Sequence, residues 1–249
     1  MPLACSLRDK PQLALISAPL NWGSIMKIRI LLAGTLAIWL NTASANLISF
    51  DLTGVNFSCT PACSSPYEQV TINQTDSTHA TITFTALSNA LYTYFMGGSG
   101  AAAVNVNADS FTMTGLGASG PGAGGFTAPS PSDGGASNEN GYGMFNQTID
   151  LFDGYSHVAN SISFLLTNNR GTWADAAAVL IGNSLGNVAA AHVFVAANPP
   201  SQTSGAVATG YASTTGGGGP PNEAPEPQTL AMLALGLVTL AFIRRRSKA

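Results

Sequence analysis

Apolar residues in the middle of the chain recur mainly at every second position. The clearest run covers residues 80–86, where threonine alternates with alanine, isoleucine and phenylalanine. A period of two places successive side chains on opposite faces, as in a half-buried β-strand. Further candidate strands, rich in β-branched and aromatic residues, cover residues 47–55, 104–107, 111–114, 144–151, 161–167, 176–181 and 189–195. We therefore predict one all-β domain over residues 46–197, an antiparallel β-sandwich or jelly roll; one helical turn could form within residues 172–178.

Two stretches of low complexity interrupt this pattern. Residues 117–143 are rich in Gly, Ser, Pro and Asn, which predicts a long mobile surface loop. Residues 198–228 have a similar composition, and within them we assign residues 198–224 to a flexible linker. The linker would hold the domain clear of whatever follows it.

A secretory signal peptide is predicted over residues 26–45. Two basic residues precede an apolar segment at residues 30–40, and Ala43 and Ala45 give the small-x-small pattern of a cleavage site. Cleavage there would leave Asn46 as the mature N-terminus. Export through an oxidising compartment follows from this assignment.

Residues 1–25 do not fit the signal peptide. They carry three prolines and both signs of charge. We interpret them as a mis-called start or an extended leader, with Met26 as the true start. A peptide from this segment in the mass spectrum of the protein would count against that hypothesis.

The chain ends in three consecutive parts. The first part is a Pro-Glu-Pro triplet formed by Pro225, Glu226 and Pro227. The second is an apolar run at residues 229–243, and the third is a basic cluster formed by Arg244, Arg245 and Arg246. As a helix, the apolar run would rise roughly 22 Å at about 1.5 Å per residue, somewhat less than the roughly 30 Å hydrocarbon core. Snorkelling arginines and local thinning compensate for this, and the arginines keep the C-terminus cytoplasmic.

This three-part arrangement over residues 225–249 resembles the PEP-CTERM sorting signal of Gram-negative bacteria. The resemblance implies export by the Sec translocon, processing by signal peptidase and transient anchoring in the inner membrane by a transmembrane helix at residues 229–243. It also implies recognition by an exosortase near the Pro-Glu-Pro triplet. The expected destination is the cell surface or extracellular matrix, with exopolysaccharide as a candidate partner.

The segment expected to be exported is strongly acidic. Residues 46–228 contain seven Asp and four Glu, whereas Arg170 is the single Lys or Arg. Such a surface cannot neutralise phosphates, so nucleic acid is excluded as a partner. We expect Arg170 to occupy a turn and to pair with a nearby carboxylate.

The exported segment has two cysteines, Cys59 and Cys63, four positions apart. An oxidising compartment favours a local disulfide, whose small loop would contribute about 2 kcal/mol. Free thiols, or a metal or redox site, remain alternatives. The redox motif, however, has two intervening residues rather than three, and no clustered His or Cys lies near this pair.

Glycine and histidine motifs do not identify a cofactor. Residues 115–120 match G-x-G-x-x-G, but Pro121 and more glycines follow, so a dinucleotide-binding helix cannot begin there. His79, His157 and His192 are not at metal-ligand spacing from one another. We therefore expect no cofactor and no catalytic or metal-binding residue from these patterns.

Two further features leave alternatives open. Asp150 and Asp153, followed by Tyr155, favour a solvated turn, with a Ca²⁺ site as the alternative. Trp173 is the single exported tryptophan, and either anchors the core or forms a sugar-stacking platform. The choice between a structural role and a binding site depends on whether one pocket brings together Asp150, Asp153, His157, Trp173 and His192.

Taken together, these patterns favour a non-enzymatic protein that is exported and sorted to the surface. It would act as a structural protein or associate with extracellular matrix or exopolysaccharide. A carbohydrate-binding or Ca²⁺-dependent adhesive module is the first alternative, and an extracellular hydrolase is the second.

Overall fold

The computed structural model describes residues 46–214. Within this range it contains twelve strands and three 3₁₀ helices. The strands are β1 (Leu47–Leu52), β2 (Gly54–Val55), β3 (Glu68–Gln74), β4 (His79–Ala86), β5 (Tyr92–Met96), β6 (Gly98–Val104), β7 (Phe111–Ser119), β8 (Ser132–Glu139), β9 (Gly143–Leu151), β10 (Ser161–Asn168), β11 (Ala189–Ala197) and β12 (Ala208–Ser213). The 3₁₀ helices are Gly154–His157, Ala176–Ala178 and Gln202–Ser204.

The strands form two antiparallel sheets. One sheet has five strands in the order β1-β3-β4-β10-β7. The other has seven strands, in the order β2-β12-β11-β6-β9-β8, with β5 also paired to β11. The predicted all-β, antiparallel class is confirmed.

Alternation along the strands builds the core between the sheets. In β4, Ile82 and Phe84 point inward between exposed or half-buried threonines. In β10, Ile162 and Phe164 point inward between half-buried serine and leucine residues. These side chains join Val193 and other buried residues of the seven-stranded sheet in one hydrophobic cluster. The two sheets are therefore layers of a β-sandwich, and each large apolar side chain buried between them contributes about 1.5–3 kcal/mol.

The prediction of a long mobile loop over residues 117–143 is wrong. Strand β7 continues to Ser119, and Ser132–Glu139 forms the edge strand β8. The connection between them is anchored by Phe126, whose ring lies 5.3 Å from that of Phe95. Gly134 occurs in β8 because the neighbouring strand comes close: a Cβ there would lie 2.6 Å from Asp150 Oδ2. Gly135 has a positive φ of 64°.

The boundary of the domain at residue 197 is also wrong. Strand β12 lies within the predicted linker and pairs with β11 from Val195↔Ala208 to Ala190↔Ser213. The folded domain therefore reaches at least Thr214. The low-complexity composition concealed the strand because its buried residues, Ala212 and Ser213, are small.

Residues 176–181 do not form the predicted strand. Ala176–Ala178 is a 3₁₀ helix, and the Asp175 carboxylate accepts a hydrogen bond from the Ala178 N–H at 2.9 Å. Leu180 forms an isolated β-bridge with Val106, and no strand is built around it. The alternative of one helical turn within residues 172–178 is the better description.

The segment between β2 and β3 is fastened to the core. A disulfide joins Cys59 and Cys63, with 5.2 Å between their Cα atoms. The Tyr92 hydroxyl donates to the Pro61 carbonyl oxygen at 2.7 Å, and the Tyr94 hydroxyl donates to that of Ser64 at 2.7 Å. Both tyrosines belong to β5, so this irregular segment is held against the seven-stranded sheet.

The predicted signal peptide at residues 26–45 and the predicted apolar helix at residues 229–243 lie outside the described residues. The same holds for residues 215–224 of the linker. Between residues 46 and 214, no helix has the length and apolar character needed to cross a membrane.

Candidate functional site

A cavity of about 380 Å³ opens where the chain leaves β6 and β10. Its walls are residues 106–109, Asn168, residues 170–173, Ala178 of the second 3₁₀ helix, and Ile181. Ligand pockets in proteins commonly have volumes of roughly 300–1,000 Å³. We name this feature the Arg170 cavity.

The polar lining of the Arg170 cavity is held by hydrogen bonds from several directions. The Asn107 amide donates to the Ala178 carbonyl oxygen at 2.9 Å, and the Asn107 carbonyl oxygen accepts the Trp173 indole N–H at 2.7 Å. Asn168 is only 7% exposed, and its Oδ1 accepts the Arg170 backbone N–H at 3.2 Å. The Asn168 Nδ2 group has no hydrogen-bond partner among residues 46–214.

Arg170 lies in a turn, as expected, but without the expected carboxylate partner. Its side chain is exposed, and no Asp or Glu of the described segment lies within 4.0 Å of its guanidinium. Asp109 lines the same cavity and is likewise not part of an ion pair there. A positive and a negative group therefore face one cavity without neutralising each other directly.

Trp173 belongs to the core. It is 2% exposed and packs within the main hydrophobic cluster. Its indole face is not available to a ligand, which overturns the sugar-stacking alternative. The residue instead fixes the wall of the Arg170 cavity through the bond to Asn107.

A second polar cluster surrounds Gly100 in β6. Asp150 is 8% exposed, and its Oδ1 accepts the Gly100 N–H at 2.8 Å. Glu139, 1% exposed, packs against the Gly100 Cα so closely that no Cβ would fit there. The Tyr211 hydroxyl donates to the Ser99 carbonyl oxygen at 3.1 Å and also lies beside the Glu139 carboxylate.

Burial dominates the electrostatics of this cluster. It raises the pKa of Glu139, and the neighbouring Asp150 charge adds to that rise, while the Tyr211 hydroxyl opposes it. Burial and the Glu139 charge together raise the pKa of Tyr211 well above its usual value. Tyr211 thus stays a neutral donor, and Glu139 is protonated more readily than a solvated glutamate.

His192 adjoins the cluster from β11. Its ring centroid lies 4.8 Å from that of Tyr211, its Nδ1 lies 2.6 Å from the Gly97 carbonyl oxygen, and its Nε2 lies 2.9 Å from Thr209 Oγ1. Burial lowers the pKa of His192, although the Gly97 carbonyl partly opposes this. The neutral imidazole therefore donates from Nδ1–H to Gly97.

Two of the five residues singled out in the sequence come together: Asp150 and His192 meet around Tyr211. The other three lie elsewhere. Asp153 precedes the first 3₁₀ helix, the His157 ring contacts Ser156 Oγ at 2.9 Å, and Trp173 is in the core. His79 contacts Asp76 at 2.9 Å in an exposed turn.

The Ca²⁺ alternative gains no support from this placement. Asp150 is committed to the Gly100 N–H, whereas Asp153 is exposed. In the described part of the chain, no three His, Cys, Asp or Glu side chains are grouped so that they could hold a metal ion.

Two short motifs are explained by their structural context. The G-x-G-x-x-G match begins within β7, which has no helix after it, so it does not form a dinucleotide loop. A G-x-S-x-G match at residues 182–186 was missed by sequence reasoning. It forms a turn in which Asn183 Oδ1 accepts the Leu185 N–H at 3.0 Å and which leads into β11, whereas a nucleophile elbow joins a strand to a helix.

Sequence reasoning also missed Glu139 and Tyr211. Both lie in segments that were assigned to a loop and a linker, so neither was considered as a partner of a strand residue. The one available signal was Tyr211 itself, an aromatic residue isolated within a Gly- and Thr-rich stretch.

Comparison with known proteins identifies the end of the chain. Residues 223–246 match the family model described as the PEP-CTERM protein-sorting motif, which confirms the signal expected there. No curated protein and no solved structure matches the chain. The motif implies a protein that is exported, anchored in the membrane during sorting, processed by an exosortase and delivered to the surface.

Proposed function

We propose that the protein is a non-enzymatic structural component of the cell surface that associates with extracellular matrix or exopolysaccharide. The observation that carries this proposal is the position of the sorting motif. It begins at residue 223, nine residues beyond Thr214, after a two-layered β-domain whose last strand ends at Ser213. A short separation between the sorting signal and the folded domain is expected of a protein whose role is to present that domain at the cell surface.

The chemistry of the buried polar groups supports a structural role. Asp150 and His192 already bond to the backbone at Gly100 and Gly97, and Glu139 is buried against Gly100. These contacts hold the bulged start of β6 against β9, and the preceding Gly97 against β11. Side chains committed in this way stabilise the sheet and are poorly placed to act on a substrate.

An extracellular hydrolase remains the competing proposal because Glu139 and Asp150 form a pair of adjacent carboxyl groups with unlike environments. Glycoside hydrolases use such pairs, in a cleft that admits substrate and water. The burial of both groups favours the structural proposal. Hydrolysis of polysaccharide by the wild-type protein that is abolished in Glu139→Gln would instead establish the hydrolase.

The proposal is tested in two stages in cells. Deletion of residues 225–249 should release the protein into the medium or remove it from the surface, since the sorting signal is lost. A protein truncated only after Arg246 is the matched control, and it should be sorted normally. Unchanged surface retention after the larger deletion would contradict the sorting step.

The second stage concerns the matrix. In cells that cannot synthesise exopolysaccharide, the full-length protein should still be exported but should appear mainly in the medium. Equal surface retention with and without exopolysaccharide would contradict matrix association and leave the sorting step intact.

A further inference from the structure

We propose that the Arg170 cavity binds a neutral, hydroxyl-rich sugar unit of a glycan. The proposal gives a ligand class and a site to the matrix association proposed above, and it rests on that association only for the source of the glycan. Three side chains carry it: Asp109, Asn168 and Arg170, all of which line the cavity.

Asn168 supplies an oriented donor. It is buried except for 7% of its surface, and its Oδ1 already accepts the Arg170 backbone N–H. That bond fixes the orientation of the side-chain amide, because only the oxygen can accept it. The Nδ2 group is then left as a donor at the cavity wall. This donor is open to solvent at the cavity wall, so a ligand oxygen can replace water there, whereas an apolar group would leave it without a partner.

Arg170 and Asp109 supply a donor and an acceptor of opposite charge. A sugar hydroxyl is both donor and acceptor, so neighbouring hydroxyls can bond to a guanidinium and a carboxylate at once. The formal charges of Arg170 and Asp109 sum to zero, which favours a ligand without net charge.

The surrounding domain opposes an anionic ligand. Residues 46–214 hold seven Asp and two Glu against Arg170 alone, so the field around the cavity repels polyanions at long range. A uronate or phosphate would also meet the Asp109 carboxylate at short range. Charge therefore selects a neutral sugar over an acidic one.

The walls of the cavity are rigid and partly apolar. Trp173 bonds to Asn107, Asn107 bonds to Ala178, and Ile181 N–H donates to the Asn105 carbonyl oxygen at 2.9 Å. The apolar side chains of Ala178 and Ile181 are accessible and can contact the C–H faces of a sugar ring. A site held in this way loses little conformational freedom when a ligand binds.

The test is titration calorimetry on the full-length protein purified in detergent. The probes are neutral hexasaccharides of glucose, galactose and mannose, hexuronate oligomers of equal length, and inorganic phosphate. At least one neutral hexasaccharide should bind, and Asp109→Asn and Arg170→Gln should each weaken that binding about tenfold or more. Asp153→Asn makes the same charge change in an exposed turn away from the cavity and should leave binding unchanged.

Unfolding temperatures of all variants are measured beside the titrations, so that a folding defect is recognised. Preferential, salt-sensitive binding of hexuronate or phosphate would overturn the neutral-sugar proposal. So would the absence of binding by any probe, or binding that is indifferent to both cavity substitutions. If binding fails while surface retention still depends on exopolysaccharide, the cavity proposal falls and the matrix proposal stands.

Discussion

Glu68 makes the stability of this domain depend on pH. It is the first residue of β3, it pairs with Leu52 and Ala86, and its side chain is 0% exposed. Neither carboxyl oxygen has a hydrogen-bond partner, and burial raises the pKa of Glu68 well above its usual value. The folded domain therefore favours the protonated acid, whereas the unfolded chain ionises at about pH 4.3.

The sign and size of the effect follow from this difference in pKa. Because the folded state binds the proton more tightly, the contribution of Glu68 to the free energy of unfolding is greatest below about pH 4.3 and falls as the pH rises towards the folded-state pKa. In that interval Glu68 alone contributes a decrease of about 1.4 kcal/mol per pH unit. Glu68→Gln should remove this contribution, since an amide does not titrate.

Glu68→Met should do more than Glu68→Gln. It removes the titration and also the burial of a polar group without a partner, which costs about 1–3 kcal/mol. At pH 4 the methionine variant should therefore exceed the wild type by roughly that amount, and the advantage should widen at higher pH. Met is close to Glu in length and fills irregular core space.

The assay is urea denaturation of the purified protein from pH 4 to pH 8, with wild type and both variants compared at every pH. Comparison with Glu68→Gln separates Glu68 from Glu139, whose raised pKa adds a slope of the same sign to all three proteins. A wild type and a glutamine variant with parallel pH profiles would refute the reasoning. A methionine variant less stable than wild type at pH 7 would do so as well.

Three other predictions concern the backbone, the disulfide and the core. Gly115 and Gly117 both lie in β7 with open space at the Cβ position, but Gly115 has φ +62°. Gly115→Ala should therefore lower the free energy of unfolding by about 1–2 kcal/mol, whereas Gly117→Ala should not lower it. Equal urea midpoints for the two variants would contradict this. Replacing Cys59 and Cys63 by serine should lower the free energy of unfolding by about 2 kcal/mol, and a loss under 0.5 kcal/mol, well below that estimate, would mean the disulfide is dispensable. Trp173→Phe keeps most of the buried ring but loses one hydrogen bond, so it should lower the free energy of unfolding by about 1 kcal/mol beyond the change in packing. A thermal-unfolding profile identical to wild type would contradict the placement of the indole.

The parts of the fold that could be predicted are those in which large side chains alternate. β4 buries Ile82 and Phe84 between threonines, and β10 buries Ile162, Phe164 and Leu166 at alternate positions, so the period of two is visible in the sequence. The order of the sheets could not be read in this way, because pairing such as β4 with β10 joins residues about 80 positions apart.

Strands β3 and β5 were also not predicted, although both bury large apolar residues. β8 and β12 escaped prediction because they carry small residues, for physical reasons. β8 must pass close to Asp150 and Thr148, so glycine replaces larger residues. β12 packs Ala212 and Ser213 into the interior, where the Ser213 hydroxyl lies 2.6 Å from the Ala189 carbonyl oxygen. Composition alone cannot distinguish such strands from a flexible linker.

The polar clusters were predictable only in part for the same reason. Asp150 and His192 lie in recognisable strands and were singled out, but their partners Glu139 and Tyr211 lie in the two segments assigned to irregular structure. Arg170 was recognised as the single basic residue of the exported segment. Its separation from every carboxylate within residues 46–214 depends on how loops from distant parts of the chain meet.

Peptide mapping of both ends of the protein, recovered from the cell surface, tests the central claim of export and sorting most directly. The account predicts a chain that begins at Asn46 and lacks the arginines at positions 244–246, because the leader is removed on export and the tail is removed on sorting. A full-length chain recovered from the cytosol with both ends intact would contradict it.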